Sequence, residues 1–157
     1  MGIVMDTRTV GASARSSGGS GPFEREPVEF CQPFGRSLRR RVLVVDDEAL
    51  IRWSLSEAVS DLGCAVEQAA TAAAALECVS RADRPFDVVL LDFRLPDSNT
   101  LELLARLRQL MPSARIILIT AFSTPDVVQA ALDLGAFRVM AKPFEIGEIT
   151  QLVEQER

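Results

Sequence analysis

From Val42 onward, short apolar runs alternate with stretches of helical spacing, and four of the five runs end next to a polar group. No other feature of the chain narrows the fold as far. Runs at 42–45, 86–91, 115–119 and 138–141 are dominated by valine, isoleucine and leucine, with a weaker run at 65–69. Such unbroken apolar runs read as strands buried on both faces. Between them, Ile51, Leu55, Ala58, Val59 and Leu62 recur at helical spacing, and Gly63 follows as a stop. A second, alanine-rich helix is expected from Thr71 to Ser80, and a third from Leu101 to Leu110, ahead of Pro112. Ser123-Thr124-Pro125-Asp126 supplies a cap, a first-turn proline and an early acid for a fourth helix that stops at Gly135. Ile146, Ile149 and Val153 mark a fifth. Five strands alternating with five helices predict an α/β fold, a doubly wound five-stranded parallel sheet covered on both faces. Right-handed crossovers then put ligands at the carboxyl ends of the strands. Those ends carry Asp46, Asp47, Asp92, Thr120 and Lys142.

Lys142 is the only lysine, against sixteen arginines. A chain that otherwise uses arginine for positive charge has kept one slim ammonium where three carboxylates stand as candidate partners. Histidine is absent, which excludes a histidine-based zinc site, a Ser-His-Asp triad and a phosphohistidine on this chain. Any phosphoryl chemistry must therefore use carboxylate or hydroxyl groups. Cys31, Cys64 and Cys78 are odd in number and form no Cys-x-x-Cys, so they read as reduced thiols of a cytoplasmic protein.

Charge is unevenly spread. Residues 1–40 hold six arginines and four acids, whereas residues 41–157 hold eleven cations and eighteen acids. The acidic body is a poor match for a nucleic-acid backbone, and no direct nucleic-acid binding is expected. No apolar stretch is long enough to span a bilayer, the N-terminus lacks a signal-peptide core, and Asp6 breaks the myristoylation pattern. Residues 1–39 read as a flexible tail, because Ala12 to Pro22 is mostly serine, glycine and alanine. The domain is expected over 40–157. Arg39-Arg40-Arg41 reads as a charged flank of the first strand, with a weak nucleic-acid patch as the other reading.

Four motifs in order carry a family resemblance: Val44-Val45-Asp46-Asp47-Glu48, Leu90-Leu91-Asp92-Phe93-Arg94-Leu95-Pro96, Ile119-Thr120-Ala121-Phe122, and Gly135-Ala136 leading to Ala141-Lys142-Pro143-Phe144. Together they resemble the receiver domain of bacterial two-component response regulators, a flavodoxin-like fold, over roughly residues 40–157. The run after Asp92 looks most like receivers of nitrogen-regulation-type transcriptional activators. The resemblance implies a phosphoacceptor in a phosphorelay, with Asp92 as nucleophile toward a phosphohistidine donor. It implies Mg²⁺, held by Asp47 and Asp92 directly, by Asp46 through water and by the Arg94 carbonyl. It also implies that Lys142 and Thr120 contact phosphoryl oxygens and that the Lys142-Pro143 bond is cis. Adjacent strand residues face opposite ways, so Asp46 and Asp47 can share a metal only where the strand ends.

Implied partners are a sensor histidine kinase or histidine phosphotransfer protein and a downstream protein. A homodimer through the face of the fourth helix, fifth strand and fifth helix is a further candidate. Trp53 and Leu50 lie off the buried stripe of the first helix, where the family docks its donor; a tryptophan folded over its neighbours is an equal alternative. Taken alone, Thr120 also reads as a strand-end cap, and Glu48 as a solvated acid. Two residues depart from the family pattern. Val139 stands where an aromatic is usual, with Phe137 two positions earlier, which puts an aromatic readout of the switch in doubt. Thr100 stands where glycine is usual, a departure that bears on the loop after Asp92 and its dephosphorylation rate. The chain is expected to be no enzyme beyond promoting its own phosphorylation and dephosphorylation.

Two other functions fit less well. A transcriptional activator's regulatory fragment would lack its output module here, since no phosphate loop and no length for a helix-turn-helix follow. An Asp-nucleophile phosphatase would want an acid two residues after Asp92, and that residue is Arg94.

Overall fold

The computed structural model describes residues 39–155. Cys31 and the tail expected over 1–39, apart from Arg39, lie outside the described residues. Five strands and five helices alternate: β1 (Arg41–Val45), α1 (Ala49–Asp61), β2 (Ala65–Ala69), α2 (Ala72–Arg81), β3 (Val88–Asp92), α3 (Thr100–Leu110), β4 (Arg115–Thr120), α4 (Pro125–Asp133), β5 (Arg138–Ala141) and α5 (Ile146–Glu154). The strands form one parallel sheet in the order β2-β1-β3-β4-β5. After β1 the chain moves to one side for β2 and returns to the other for β3. The order therefore reverses between β1 and β3, where a doubly wound sheet opens a crevice.

Strand side chains alternate between the two faces. Leu43, Val45, Val89, Leu91, Ile116 and Leu118 pack with α2 and α3 on one side. Val42, Val44, Val88, Leu90, Ile117 and Ile119 pack with Leu55 and Val59 of α1 and Ile149, Leu152 and Val153 of α5 on the other. All twelve strand residues are essentially inaccessible, and burying each such side chain contributes about 1.5–3 kcal/mol. The weak β2 pattern has a simple cause. β2 is an edge strand whose Ala65 and Gln68 are exposed, and it carries Glu67 and Gln68 in its middle.

Helix ends follow their cap chemistry. Thr71 accepts from the Ala74 N–H, Thr124 precedes Pro125 and accepts from Val127, and Glu145 forms a reciprocal capping box with Glu148. Boundaries differ from the sequence reading by one or two residues. β3 runs to Asp92 and starts at Val88 rather than at residue 86; Phe86 is buried beneath the Arg41 guanidinium, 4.5 Å from the ring centroid. α3 begins at Thr100 because Asn99 caps it through the Leu101 N–H.

Arg40 and Arg41, at the entrance to β1, are spent on the protein itself. Arg41 pairs with Glu67 and with Asp83 at 2.9 Å, and Arg40 donates to the Val153 carbonyl. Buried Arg115 donates to the carbonyls of Leu152 at 2.9 Å and Val153 at 3.0 Å, so two arginines satisfy the C-terminal carbonyls of α5. Phe137 stacks on Arg115 at 5.4 Å, while Val139 packs half-buried against the α2–α3 side of the core. Cys64 and Cys78 are free thiols. Among the described residues, no helix is long and apolar enough to cross a membrane.

Candidate functional site

Each site residue sits where a strand gives way to a loop. β1 ends at Val45, and the turn that follows lets Asp46 and Asp47 face the same space. One carboxylate oxygen from each of Asp46, Asp47 and Asp92 lies within 4.8 Å of the others. Asp46 and Asp92 are buried, whereas Asp47 is exposed. Lys142, one residue past β5, reaches back over this cluster. Its Nζ stands 2.9 Å from Asp92 Oδ1, 3.5 Å from Asp46 Oδ2 and 3.7 Å from Glu48 Oε1. The Lys142–Pro143 peptide is cis, and the Lys142 N–H donates to the Thr120 carbonyl at 2.7 Å.

The electrostatics are lopsided. Burial raises the Asp46 pKa and the Asp92 charge adds to it, while the Glu48 N–H and Lys142 act the other way. Burial alone would lower Lys142, but the hydrogen bond and charge of Asp92, with Asp46 and Glu48, outweigh it and raise the pKa. Three clustered carboxylates share one ammonium. The set leaves net negative charge made of hard oxygens, which is what a small divalent cation requires.

The remaining groups are held by the backbone. Asp92 Oδ2 accepts from the Arg94 N–H at 3.1 Å, and Asp46 Oδ1 from the Glu48 N–H at 2.8 Å. Thr120 is fully buried, and its Oγ1 accepts from the Phe122 N–H at 2.9 Å. The strand-end cap is thus real, and it leaves the hydroxyl proton of Thr120 to donate elsewhere. Asp47, Glu48, Asp92, Arg94, Phe122 and Lys142 all line a cavity of about 350 Å³.

Two features escaped the sequence reading. Glu48, read as a solvated acid, is 62% exposed and yet within ion-pair range of Lys142. The Arg94 guanidinium lies 4.7 Å from the Phe122 ring centroid, joining the loops after β3 and β4. The only sequence signal for that contact is positional: each residue stands two places beyond a polar strand end. Thr100 is buried and donates to the Phe93 carbonyl at 2.6 Å. Trp53 and Leu50 are 56% and 73% exposed on α1, so the tryptophan is not folded away.

A family model described as the response regulator receiver domain matches residues 42–154. The chain belongs to the response regulator receiver family. This receiver domain is 36% identical over 118 residues to sporulation initiation phosphotransferase F of Bacillus subtilis, covering 75% of the chain and 94% of that protein. It is 38% identical over 114 residues to the DNA-binding transcriptional regulator NtrC of Escherichia coli K12, covering 73% of the chain. The chain spans only about a quarter (24%) of that regulator's length. Among solved structures it superposes on a CheY-like receiver domain from Methanospirillum hungatei with a TM-score of 0.69 at 28% identity, covering 74% of this chain and 91% of that one. A response regulator from Burkholderia pseudomallei, solved with a phosphorylated aspartic acid, calcium ion and citrate, gives a TM-score of 0.67 at 28% identity, covering 74% and 67%. The receiver fold of this chain therefore matches a family of which one member has been solved with a phosphorylated aspartate and a calcium ion.

Proposed function

We propose that this receiver accepts a phosphoryl group on Asp92 from a phosphohistidine donor and thereby changes its binding to a downstream protein. The observation that carries the reading is the 2.9 Å contact of Lys142 with Asp92 beside the converging carboxylates of Asp46 and Asp47. An Asp92 oxygen attacks phosphorus in line. The P–N bond to the donor imidazole breaks, and its electron pair stays on the nitrogen. Lys142 neutralises Asp92 before transfer and meets a phosphoryl oxygen after it. The Thr120 hydroxyl, already accepting from Phe122, turns its proton to a second phosphoryl oxygen and so reads the state. Asp46, Asp47, Asp92 and the Arg94 carbonyl would hold Mg²⁺. When bound, the ion supplies neutralisation of the charge shared by the carboxylates and the transferring group.

The donor's approach is supported by α1. Leu50 and Trp53 are exposed, and Leu50, Ile51, Leu55, Phe144 and Ile146 line an apolar groove of about 580 Å³ that ends at Lys142. An exposed aromatic beside such a groove is a common anchor for a partner helix. On the output side, Val139 offers no ring to move with Thr120, and Phe137 is engaged by Arg115. The change in binding therefore runs through the backbone link from the Lys142 N–H to the Thr120 carbonyl and the adjoining β5 and α5 surface.

The test is intact-mass spectrometry after treatment with acetyl phosphate and Mg²⁺. The wild-type chain is expected to gain one phosphoryl group, and Asp92→Asn none. An unmodified wild-type mass, or labelling that survives in Asp92→Asn, would overturn the assignment.

A further inference from the structure

We propose that Arg52 is a positioning residue for the cation site: its bond to the Asp46 carbonyl holds the turn after β1 in the shape that brings Asp46 and Asp47 to the same space. The inference rests on the phosphoacceptor reading above and deepens it, by naming what prepares the carboxylates for Mg²⁺.

Asp47 needs such a device. Its carboxylate is exposed and makes no hydrogen bond or ion pair among the described residues. One of its oxygens nonetheless lies within 4.8 Å of oxygens of Asp46 and Asp92. Its place is therefore set by the backbone. Adjacent residues of a regular strand point to opposite faces, so the peptide between Asp46 and Asp47 has to be turned out of the strand and kept there. The usual fastening is missing, since Glu48, at the N-cap of α1, makes no side-chain cap hydrogen bond.

Arg52 supplies the fastening. It stands in the first turn of α1, and helical side chains lean toward the N-terminus, which aims its guanidinium back at the turn. Nη1 donates to the Asp46 carbonyl at 2.7 Å. The Asp46 N–H donates to the Ala69 carbonyl at 3.1 Å, and Asp46 Oδ1 accepts from the Glu48 N–H at 2.8 Å. Residue 46 is thus tied at its amide, its side chain and its carbonyl, and Arg52 holds the one group that leads into Asp47. The arginine is itself braced. Its N–H donates to the Glu48 carbonyl at 2.9 Å, and its carbonyl accepts from the buried Ser56 hydroxyl at 2.7 Å.

The partner Arg52 takes separates positioning from a plain charge role. Among the described residues it makes no ion pair, although three carboxylates cluster at the turn it holds. A cation kept for its charge would pair with them, as Lys142 does with Asp92 at 2.9 Å. A guanidinium suits a fixed carbonyl because its donors are pre-organised. Removing it acts on Mg²⁺ in two opposed ways. Loss of a positive charge near the cluster strengthens cation binding, and loss of the fixed turn weakens it. Positioning predicts that the weakening wins.

The experiment titrates Mg²⁺ calorimetrically into the full chain as wild type, Arg52→Met and Arg52→Lys, with circular dichroism to confirm that each is folded. Arg52→Met keeps the stem and removes the donor. It is expected to bind Mg²⁺ about tenfold more weakly, the scale on which groups behind a metal ligand act. Arg52→Gln, too short to reach the carbonyl, repeats the test with a polar stem and the same expected loss. Arg52→Lys keeps a donor and the charge, and is expected to bind more tightly than Arg52→Met. Labelling by acetyl phosphate should need about tenfold more Mg²⁺ in Arg52→Met, while the rate at saturating Mg²⁺ stays near that of wild type. Unchanged Mg²⁺ binding in Arg52→Met and Arg52→Gln would overturn the proposal alone and leave Arg52 a structural tie. Tighter binding would also overturn it and make the arginine a charge. Equal binding by Arg52→Met and Arg52→Lys would overturn it as well, since only the lysine can bond. A wild type that neither binds Mg²⁺ nor takes label would remove the phosphoacceptor reading and this inference with it.

Discussion

Thr100 donates its hydroxyl to the carbonyl of Phe93 at 2.6 Å, closing the seven-residue reach from the end of β3 to the start of α3. Thr100 is 3% exposed, so this is a buried bond inside the loop that carries Arg94. A glycine here would leave the Phe93 carbonyl without that partner. Thr100→Val keeps the shape and removes the donor. It is expected to lower stability by about 1–3 kcal/mol, the cost of a buried acceptor left unsatisfied. Urea unfolding checks this; the midpoint falls while the slope stays the same.

Asp97 ties the same loop to α2. Its two oxygens accept from the Ala72 N–H at 2.9 Å and the Ala73 N–H at 3.0 Å, while Thr71 takes Ala74, so the first turn of α2 is fully satisfied. The Ala73 and Ala72 hydrogen bonds hold the Asp97 carboxyl below the usual range. A carboxyl depressed in the folded state stabilises above its unfolded pKa, near 3.9, and that contribution disappears as pH falls through the folded value. Asp97→Asn is therefore expected to be less stable than wild type at pH 7, with the gap closing toward pH 2. Denaturation midpoints of both proteins across that range decide it. A gap independent of pH would mean that shape rather than charge makes the cap.

The fold and the core of the site were legible because both are written in local sequence. Buried parallel strands are continuous apolar runs, and the site residues follow directly where those runs stop. Asp46, Asp92 and Lys142 meet because β1, β3 and β5 end at the same edge, and strand order alone brings those ends together. Contacts between loops leave no such trace. Arg94 and Phe122 are chemically unremarkable in sequence and become neighbours only once β3 pairs with β4. Nothing near Asp97 in the sequence marks its bond to α2, and nothing near Phe137 marks the Arg115 guanidinium beside its ring. Glu48 is exposed, as its polarity suggests, but its reach to Lys142 depends on the turn after β1.

Gly135 ends α4 with φ +94, a conformation that favours glycine, and a Cβ there would stand 2.9 Å from Arg108 Nε. Arg108 donates to the carbonyls of Gly135, Pro112 at 2.8 Å and Ala114 at 3.0 Å, joining the end of α3 to the end of α4. Gly135→Ala pays twice, through φ and through displacement of the guanidinium, and is expected to cost more than the ~1–2 kcal/mol of the backbone alone. Arg108→Ala removes the second part. In a double-mutant cycle by urea unfolding, Gly135→Ala should therefore cost less in the Arg108→Ala background. Strict additivity would show that the close approach carries no energy.

Lys142 partly offsets the charge of Asp46, Asp47 and Asp92, and a divalent cation at the cluster would meet the same need. An ion that binds only the folded chain raises its melting temperature by mass action, contributing about 2.7 kcal/mol at a hundredfold excess over Kd. Millimolar Mg²⁺ is therefore expected to raise the wild-type melting temperature by several degrees, and Asp47→Asn to lose most of the shift. The lysine sets the opposite sign. Its ammonium, 2.9 Å from Asp92, repels any cation drawn to the cluster. Lys142→Met should accordingly lower the melting temperature without Mg²⁺, because the carboxylates then face each other unneutralised. It should also bind Mg²⁺ more tightly, on the order of tenfold by Coulomb repulsion removed at short range. Trp53, the single tryptophan, lies on the helix that follows Asp46 and Asp47 and offers a fluorescence readout for the titration. Weaker Mg²⁺ binding in Lys142→Met would mean that the lysine organises the carboxylates for the ion rather than competing with it.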